Sequence, residues 1–559
     1  MKMKKRLALI MAIVLLFGLF ASGCRQQGDV AEAPKDATAT DTPVASETPA
    51  AEEEEDVAAV EEGEEKILTI GVNGAWSTHC PGNTNLGGGS NESIVNGLIF
   101  DGLVFMRANG EAVPRAASSW EVVDGGTAIV FTLNPDCKWH DGTPVTAEDW
   151  VWSLQTYTDP DVMLADQSDF SMLAGTDDSG NELSENSVGA EALDEYTLKL
   201  TFKGVTNVDS FFISYGGEYR VLPKHLLEDV PMADFITCDF WQNPVGSGPC
   251  VFVSEQTNSV LTLASNQNYQ LGAPQFDTLV IRVIDQSNMV TSLLAHEIDV
   301  SLPSMSYEEA QALTTDSSLV VQQDSSPSMM YLMCVNNRVV DDINVRKAIN
   351  LAIDKQAVID ALFNGQGVPL ESCVAPGTVY ANTDLATEYD PELAAQLVAE
   401  SDWDSSQTLV LATTSSRENL TVMVGQYLQE IGINVDIQVV DGATLYGGLF
   451  DESIPMGMAS LQLTADPMAI KQMFDYSLPG YFNVTDPTYA EMQAAINAEI
   501  NPDTRVELVK EWQQYIYDTQ PVTYICATYN YNIYANHISS YSVGGREMGT
   551  LPIWEWQIG

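Results

Sequence analysis

Positive charge is the scarcest thing in this sequence. The 559 residues carry 24 Lys and Arg against 78 Asp and Glu, a formal net charge of −54. Such a surface repels phosphate backbones, so nucleic acid is excluded as a partner and unassisted docking on anionic lipid is a poor reading. Acidity of this degree serves solubility or a saline habitat first, and a bias toward cationic or zwitterionic solutes second. Histidine is sparse: His79, His140, His225, His296 and His537 are scattered, without H-E-x-x-H or any zinc spacing. The chain also lacks the G-x-x-x-x-G-K-[ST] phosphate cradle, C-x-x-C and the G-x-S-x-G nucleophile elbow. Paired carboxylates are everywhere in so acidic a chain and identify nothing. No catalytic residue, metal site or cofactor is therefore expected, and an exported hydrolase is only the remote alternative. Beyond residue 24 no run of about 18 apolar residues occurs, so nothing there is expected to span a membrane.

What is present begins with a processing segment. Lys2, Lys4, Lys5 and Arg6 precede the apolar run Leu7 to Phe20, which ends in Ala21-Ser-Gly-Cys24. Small residues before a cysteine resemble the lipobox of bacterial lipoproteins, with Ala21 where Leu is usual; the resemblance implies cleavage and lipidation at Cys24. Residues 25–66 hold fourteen acidic and three basic residues with almost no large apolar side chains. Such a segment cannot bury enough surface to offset its ordering entropy and is expected to be a disordered, extended tether. The chain as a whole has ordinary globular composition, 45% hydrophobic and 9% aromatic, with room for two or three domains. Seven cysteines follow Cys24, an odd number that leaves at least one thiol free; Cys238 and Cys250 are near enough in sequence to bridge a short loop.

The most informative stretch is Ala128 to Leu154. Ile129, Phe131 and Leu133 alternate as in a half-buried strand, Asp141-Gly142 makes a tight turn, and Thr146-Ala-Glu-Asp149 is a capping box. An amphipathic run of Trp150, Val151, Leu154 and Tyr157 follows. The motif Lys138-Trp-His-Asp-Gly-Thr-Pro-Val-Thr-Ala-Glu-Asp-Trp150 resembles that of family 5 of the bacterial extracellular solute-binding proteins, the dipeptide- and oligopeptide-binding lipoproteins of ABC importers. The flanking blocks agree in order: Phe100-Asp-Gly-Leu-Val104, Gly110 to Ala116, Trp120-Glu121, Leu222-Pro-Lys-His225, Asn243 to Pro249, and Val345 to Asp354. Together they cover the chain from about Ile67 to its end.

The resemblance implies an α/β protein of two lobes, periplasmic-binding-protein-like (type II, cluster C-like), with an extra subdomain in the first lobe. The expected division is 1–24 signal peptide, 25–66 tether, 67–280 first lobe, 281–530 second lobe and 531–559 a return segment completing the first. Hinge strands are then expected near Ile281 and Asn530. It also implies a function of binding without chemistry: a peptide, or in other members a nickel chelate, haem or oligosaccharide, is clasped between lobes. The solute is passed to a membrane permease driven by an ATPase, or else presented to a membrane sensor. The expected place is the extracytoplasmic face of the cell membrane, anchored by lipid on Cys24.

Within this frame the residues suggest several ligand contacts. Trp76 and His79 lie in the polar loop after the strand Ile67 to Val72; Trp76 is either a rim anchor for ligand or a cap on the lobe's own core. Gly246-Ser-Gly248 can bring backbone close to a ligand or to another strand. Asn344 and Asp354 read as caps of two successive helices. Thr408 to Ala412, a helix to Glu430 and the strand Asp436 to Val440 make a β-α-β unit whose loop Thr413 to Asn419 should face the cleft. Arg417 in that loop could clamp a carboxylate, or be a solvated loop arginine. Asp466 lies where the family shows a Trp and two aspartates, one of which holds the ligand's amine. Here Leu463 stands at the amine-holding position and Ser460 at the Trp, leaving Asp466 as the surviving carboxylate.

Overall fold

The structure is a computed structural model that describes residues 65–82, 91–107, 111–164, 167–212, 220–302, 304–463, 473–474, 480–543 and 551–559. Cys24, the tether apart from its last two residues, and Asp466 lie outside the described residues. Residues Lys66–Gly559 form one compact unit.

Two mixed β-sheets dominate that unit. The first has seven strands in the order Leu319–Gln323, Tyr531–Ala535, Val300–Leu302, Ile67–Val72, Thr278–Val283, Val260–Ser265 and Cys250–Gln256. The second has six: Gly367–Pro369, Val522–Thr528, Met329–Val335, Met456–Gln462, Thr408–Thr413 and Asn434–Val439. Strand Val522–Thr528 (VTYICAT) is buried along its whole length, flanked by a strand on each side. A third, four-stranded sheet is built from Ala117–Val123, Ala128–Leu133, Thr197–Thr201 and Ala190–Asp194.

The chain passes between the large sheets twice, at 324–328 and at 529–530. There Asp324 N–H donates to Asn530 O at 2.9 Å, and Asn532 Nδ2 donates to Asp324 Oδ1 at 2.7 Å. The outward crossing lies well beyond Ile281. Ile281 lies inside the first sheet, paired with Ile70 on one side and Leu261 on the other. Strands Val300–Leu302 and Leu319–Gln323 extend the same sheet, so the first lobe runs on to about residue 323. An apolar run tells that a strand is buried, but not which sheet it joins.

Local chemistry in the recognition motif is structural. Gly142, at φ +93°, closes the turn with its N–H on Trp139 O, and Asp141 pairs with His225 at 2.8 Å. His140 Nδ1 accepts from Gly246 N–H at 3.2 Å, which leaves the proton on Nε2, 3.1 Å from Gly248 O; burial lowers its pKa. Asp149 reaches back to Thr146 N–H at 2.9 Å, closing the expected capping box before helix Ala147–Thr158. The glycines of Gly246-Ser-Gly248 serve close backbone approach: a Cβ on Gly246 would stand 1.8 Å from Ile99 O, and Gly248 N–H donates to that oxygen.

Beside them, Arg115 and Asp101 form an ion pair of 2.6 Å with both side chains 0% exposed. Tyr269 and Gln270 also bond Asp101, so the buried charge is compensated rather than stranded. In the second lobe Lys355 and Glu371 are paired in the same way at 2.5 Å. Helix Lys355–Leu362 is capped by Asp354 as expected, whereas Ile343–Leu351 is capped by Asp342, which accepts from Asn344 N–H at 2.8 Å. The carboxylate two residues earlier takes the cap from Asn344. Cys238 and Cys250 are both free thiols, as are the other five described cysteines; Cys250 is fully buried in the first-lobe core.

Candidate ligand-binding site

Strand directions locate the cleft. Ile67–Val72 is parallel to Thr278–Val283 and Val300–Leu302, so Val72, Val283 and Leu302 end at one edge. The antiparallel partner of Val300, strand Tyr531–Ala535, begins at that edge, beside the crossings. In the second sheet Thr408–Thr413 is parallel to Met456–Gln462 and Asn434–Val439, and Gln462 pairs with Met329, the first strand residue after a crossing. The carboxyl ends of the parallel strands in both lobes therefore face the crossings, where open α/β sheets take ligands.

On the second lobe this edge holds Arg417. The residue closes a single 3-10 turn, Ser415–Arg417, between strand Thr408–Thr413 and helix Glu418–Glu430. Its Nη1 donates to Ser460 Oγ at 2.7 Å and its Nε to Met458 O at 3.2 Å. Among the described residues no carboxylate lies within ion-pair distance of Arg417. Arg107, Arg115, Arg338 and Lys355, by contrast, each have one. Arg417 is half-buried, positioned by neutral acceptors alone.

The strand that Arg417 braces has an edge that side chains meet in part, Arg417 at Met458 O and the Tyr446 hydroxyl at the Ser460 backbone. Thr408–Thr413 pairs with Met456–Gln462 only through Leu411↔Met456 and Ala412↔Gly457. Leu463 N–H turns to Ser328 O at 2.9 Å, so by alternation Ser460 and Gln462 turn their backbone groups away from strand Met329–Val335. Among the described residues no strand pairs with that edge beyond Gly457. Aromatic rings flank it: Tyr481 packs on Tyr446 and Phe450 at centroid distances of 5.7 and 4.8 Å, and Tyr331 on Phe363 at 4.8 Å. Burial pushes the Tyr481 hydroxyl up to about 12 and raises that of Tyr446, which the Arg417 charge partly offsets.

The first-lobe loop packs inward at both Trp76 and His79. Trp76 is 4% exposed and packs in the lobe's core, with Nε1–H donating to Glu255 Oε1 at 2.8 Å. His79 Nε2 donates to the other carboxylate oxygen at 2.9 Å. These contacts describe a core cap, and they bring together residues more than 170 positions apart. Glu255 carries no local sign of this role. Tyr446 and Phe450 do lie at i, i+4 on helix Gly442–Phe450, but that spacing reads equally as packing. Leu463 is buried with its N–H occupied.

Two sheets joined by two short crossings, with strand ends converging on the joint, define a two-lobed solute-binding protein. The described residues hold no group of three or more His, Cys, Asp or Glu side chains placed for a metal ion, and no helix long and apolar enough to cross a membrane. The family model for bacterial extracellular solute-binding proteins, family 5, matches residues 111–512. The chain belongs to that family.

Among relatives, it is 26% identical over 351 residues to the oligopeptide-binding protein AppA of Bacillus subtilis, covering 59% of this chain and 61% of that protein. The solved structure of AppA with a nonapeptide superposes with a TM-score of 0.68 at 20% identity, over 89% and 99% of the two chains. Heme-binding protein A of Haemophilus influenzae is 24% identical over 466 residues, 77% of this chain and 81% of that one. The ABC transporter substrate-binding protein CtaP of Listeria monocytogenes shares the fold with a TM-score of 0.77 at 21% identity, over 89% and 100%.

Proposed function

We propose that this chain captures peptides outside the cytoplasm and delivers them to the permease of an ABC importer. The observation that carries this reading is that, among the described residues, no strand pairs with the edge of Met456–Gln462 beyond Gly457 and no carboxylate lies within ion-pair distance of the adjoining Arg417. An extended peptide can add to such an edge through its main chain, which gives affinity without demanding a sequence. Arg417, held in place by Ser460 and Met458, then takes the peptide's carboxylate as a preorganised cation. Asp466 is the carboxylate assigned to the ligand's ammonium. Trp76 shapes the opposite wall through the loop it pins. Lipid on Cys24 and the acidic tether keep the binding body beside the permease. The name of the Bacillus relative supports peptide as cargo; that of the Haemophilus relative makes haem the competing cargo.

Thermal unfolding against a library of free peptides, metal chelates, haem and oligosaccharides tests the reading. A cognate peptide should raise the melting temperature in step with RT ln(1 + [L]/Kd) and compact the molecule in small-angle scattering. Stabilisation by haem or a chelate and by no peptide would reassign the cargo.

A further inference from the structure

Away from both crossings in sequence, the two lobes touch again. On the first lobe, one end of the four-stranded sheet is a tip made of the turn Asp124–Gly126 and residues 204–207. Thr206 N–H donates to Gly126 O at 2.8 Å, and Gly126 has φ +91°, a conformation that favours glycine. On the second lobe, residues 499–501 turn between helices Thr488–Ala498 and Pro502–Thr519. Asn501 N–H bonds Glu499 Oε1 at 2.7 Å, and its side chain caps the second helix by accepting from Thr504 N–H at 3.0 Å. Local bonds thus shape each tip independently of the other.

Between them, Asn207 Nδ2 donates to Glu499 O at 2.9 Å. Ile500 lies over Gly126 beside Val205: a Cβ on Gly126 would stand 2.9 Å from Ile500 Cγ2 and 3.1 Å from Val205 Cγ1. Ile500 and Val205 remain 47% and 42% exposed, so the apolar part of the contact is only partial.

We propose that this contact is a clasp that holds the lobes together without cargo, a regulation of the binding site that rests on the two-lobe reading above. The chain then closes by itself for part of the time, and cargo enters only when the clasp is broken. A hydrogen bond and a half-exposed aliphatic contact suit that role, because interactions of this size shift a two-state population several-fold without locking it. None of the clasp residues belongs to the edge of strand Met456–Gln462 or to the Arg417 loop, so altering them changes closure and leaves the binding groups in place.

The test uses the ligand-free chain carrying Val205→Cys with Ile500→Cys, compared with Val205→Cys paired with Val439→Cys, an exposed second-lobe position on an edge strand. Under mild oxidation the 205–500 disulfide should form many-fold faster than the 205–439 one, as followed by peptide mapping. In parallel, Ile500→Ser should increase the radius of gyration of ligand-free protein in small-angle scattering. Equal cross-linking rates for the two pairs would overturn the clasp, and so would scattering unchanged by Ile500→Ser. Because no ligand is added, these results stand apart from any failure to find a peptide that binds.

Discussion

Arg417 Nη1 and Ser460 Oγ lie 2.7 Å apart, joining the loop after one strand of the second sheet to the edge of its neighbour. A cation held by a hydroxyl and a carbonyl keeps its charge available to an incoming anion. Arg417→Ala should weaken binding of a peptide with a free carboxylate by about 2–5 kcal/mol, the loss usual for one partner of a buried charge pair. A C-terminally amidated peptide should bind the wild type about as badly. Calorimetric titration of both proteins with both peptides decides it, and equal affinities throughout would remove Arg417 from the site.

The loop bearing Trp76 and His79 carries a pH dependence. The hydrogen bond from His79 holds the Glu255 carboxyl below its usual range; burial opposes this and the Trp76 indole assists. A carboxylate whose pKa is lower folded than unfolded stabilises the fold above the unfolded value, about 4.3, and loses that contribution as pH falls through the folded value. Glu255→Gln should therefore lower the melting temperature at neutral pH, with the gap from wild type narrowing below about pH 4. A gap that stays constant across that range would mean the carboxylate charge does not hold the loop.

Thiol chemistry is a third expectation. Burial pushes the thiols of Cys334, Cys373 and Cys526 up to about 12, and also raises those of Cys80, Cys137 and Cys250. Only thiolate is nucleophilic, so these six should resist iodoacetamide in the native protein and react on unfolding. The half-buried Cys238 should react first. Mass spectrometry of native and denatured samples reads the order; a native disulfide among the seven would contradict it.

The anchor is tested in cells. Cys24→Ala should move the protein from the membrane to the soluble fraction, because Cys24 is the residue that the lipobox resemblance assigns to carry the lipid. Unchanged fractionation would sink the lipid anchor.

How much of this was legible depended on the range of the interaction. The β-α-β unit from Thr408 to Val439 follows from local periodicity, and its strands are parallel with the connecting loop at their carboxyl ends, the side that faces the crossings. The cap of helix Ile343–Leu351 was displaced by two residues because Asp342 and Asn344 are both good caps and only geometry chooses between them. Nothing local to the sequence separates a crossing near Ile281 from one at 324–328, because sheet membership is a pairing between distant segments. Glu255 was invisible for the same reason: its partners sit 176 and 179 residues away. Arg417 stood out because the chain has so few cations.

The tie between Asp324 and Asn530 has a mechanical consequence. Two connections laid side by side and bonded to each other act as the spine of a book: the covers swing about one line and resist shear and twist. Motion of one lobe against the other then reduces to a single angle. Every distance across the cleft becomes a function of that angle, so one spectroscopic ruler placed across the lobes far from that line reads the whole movement.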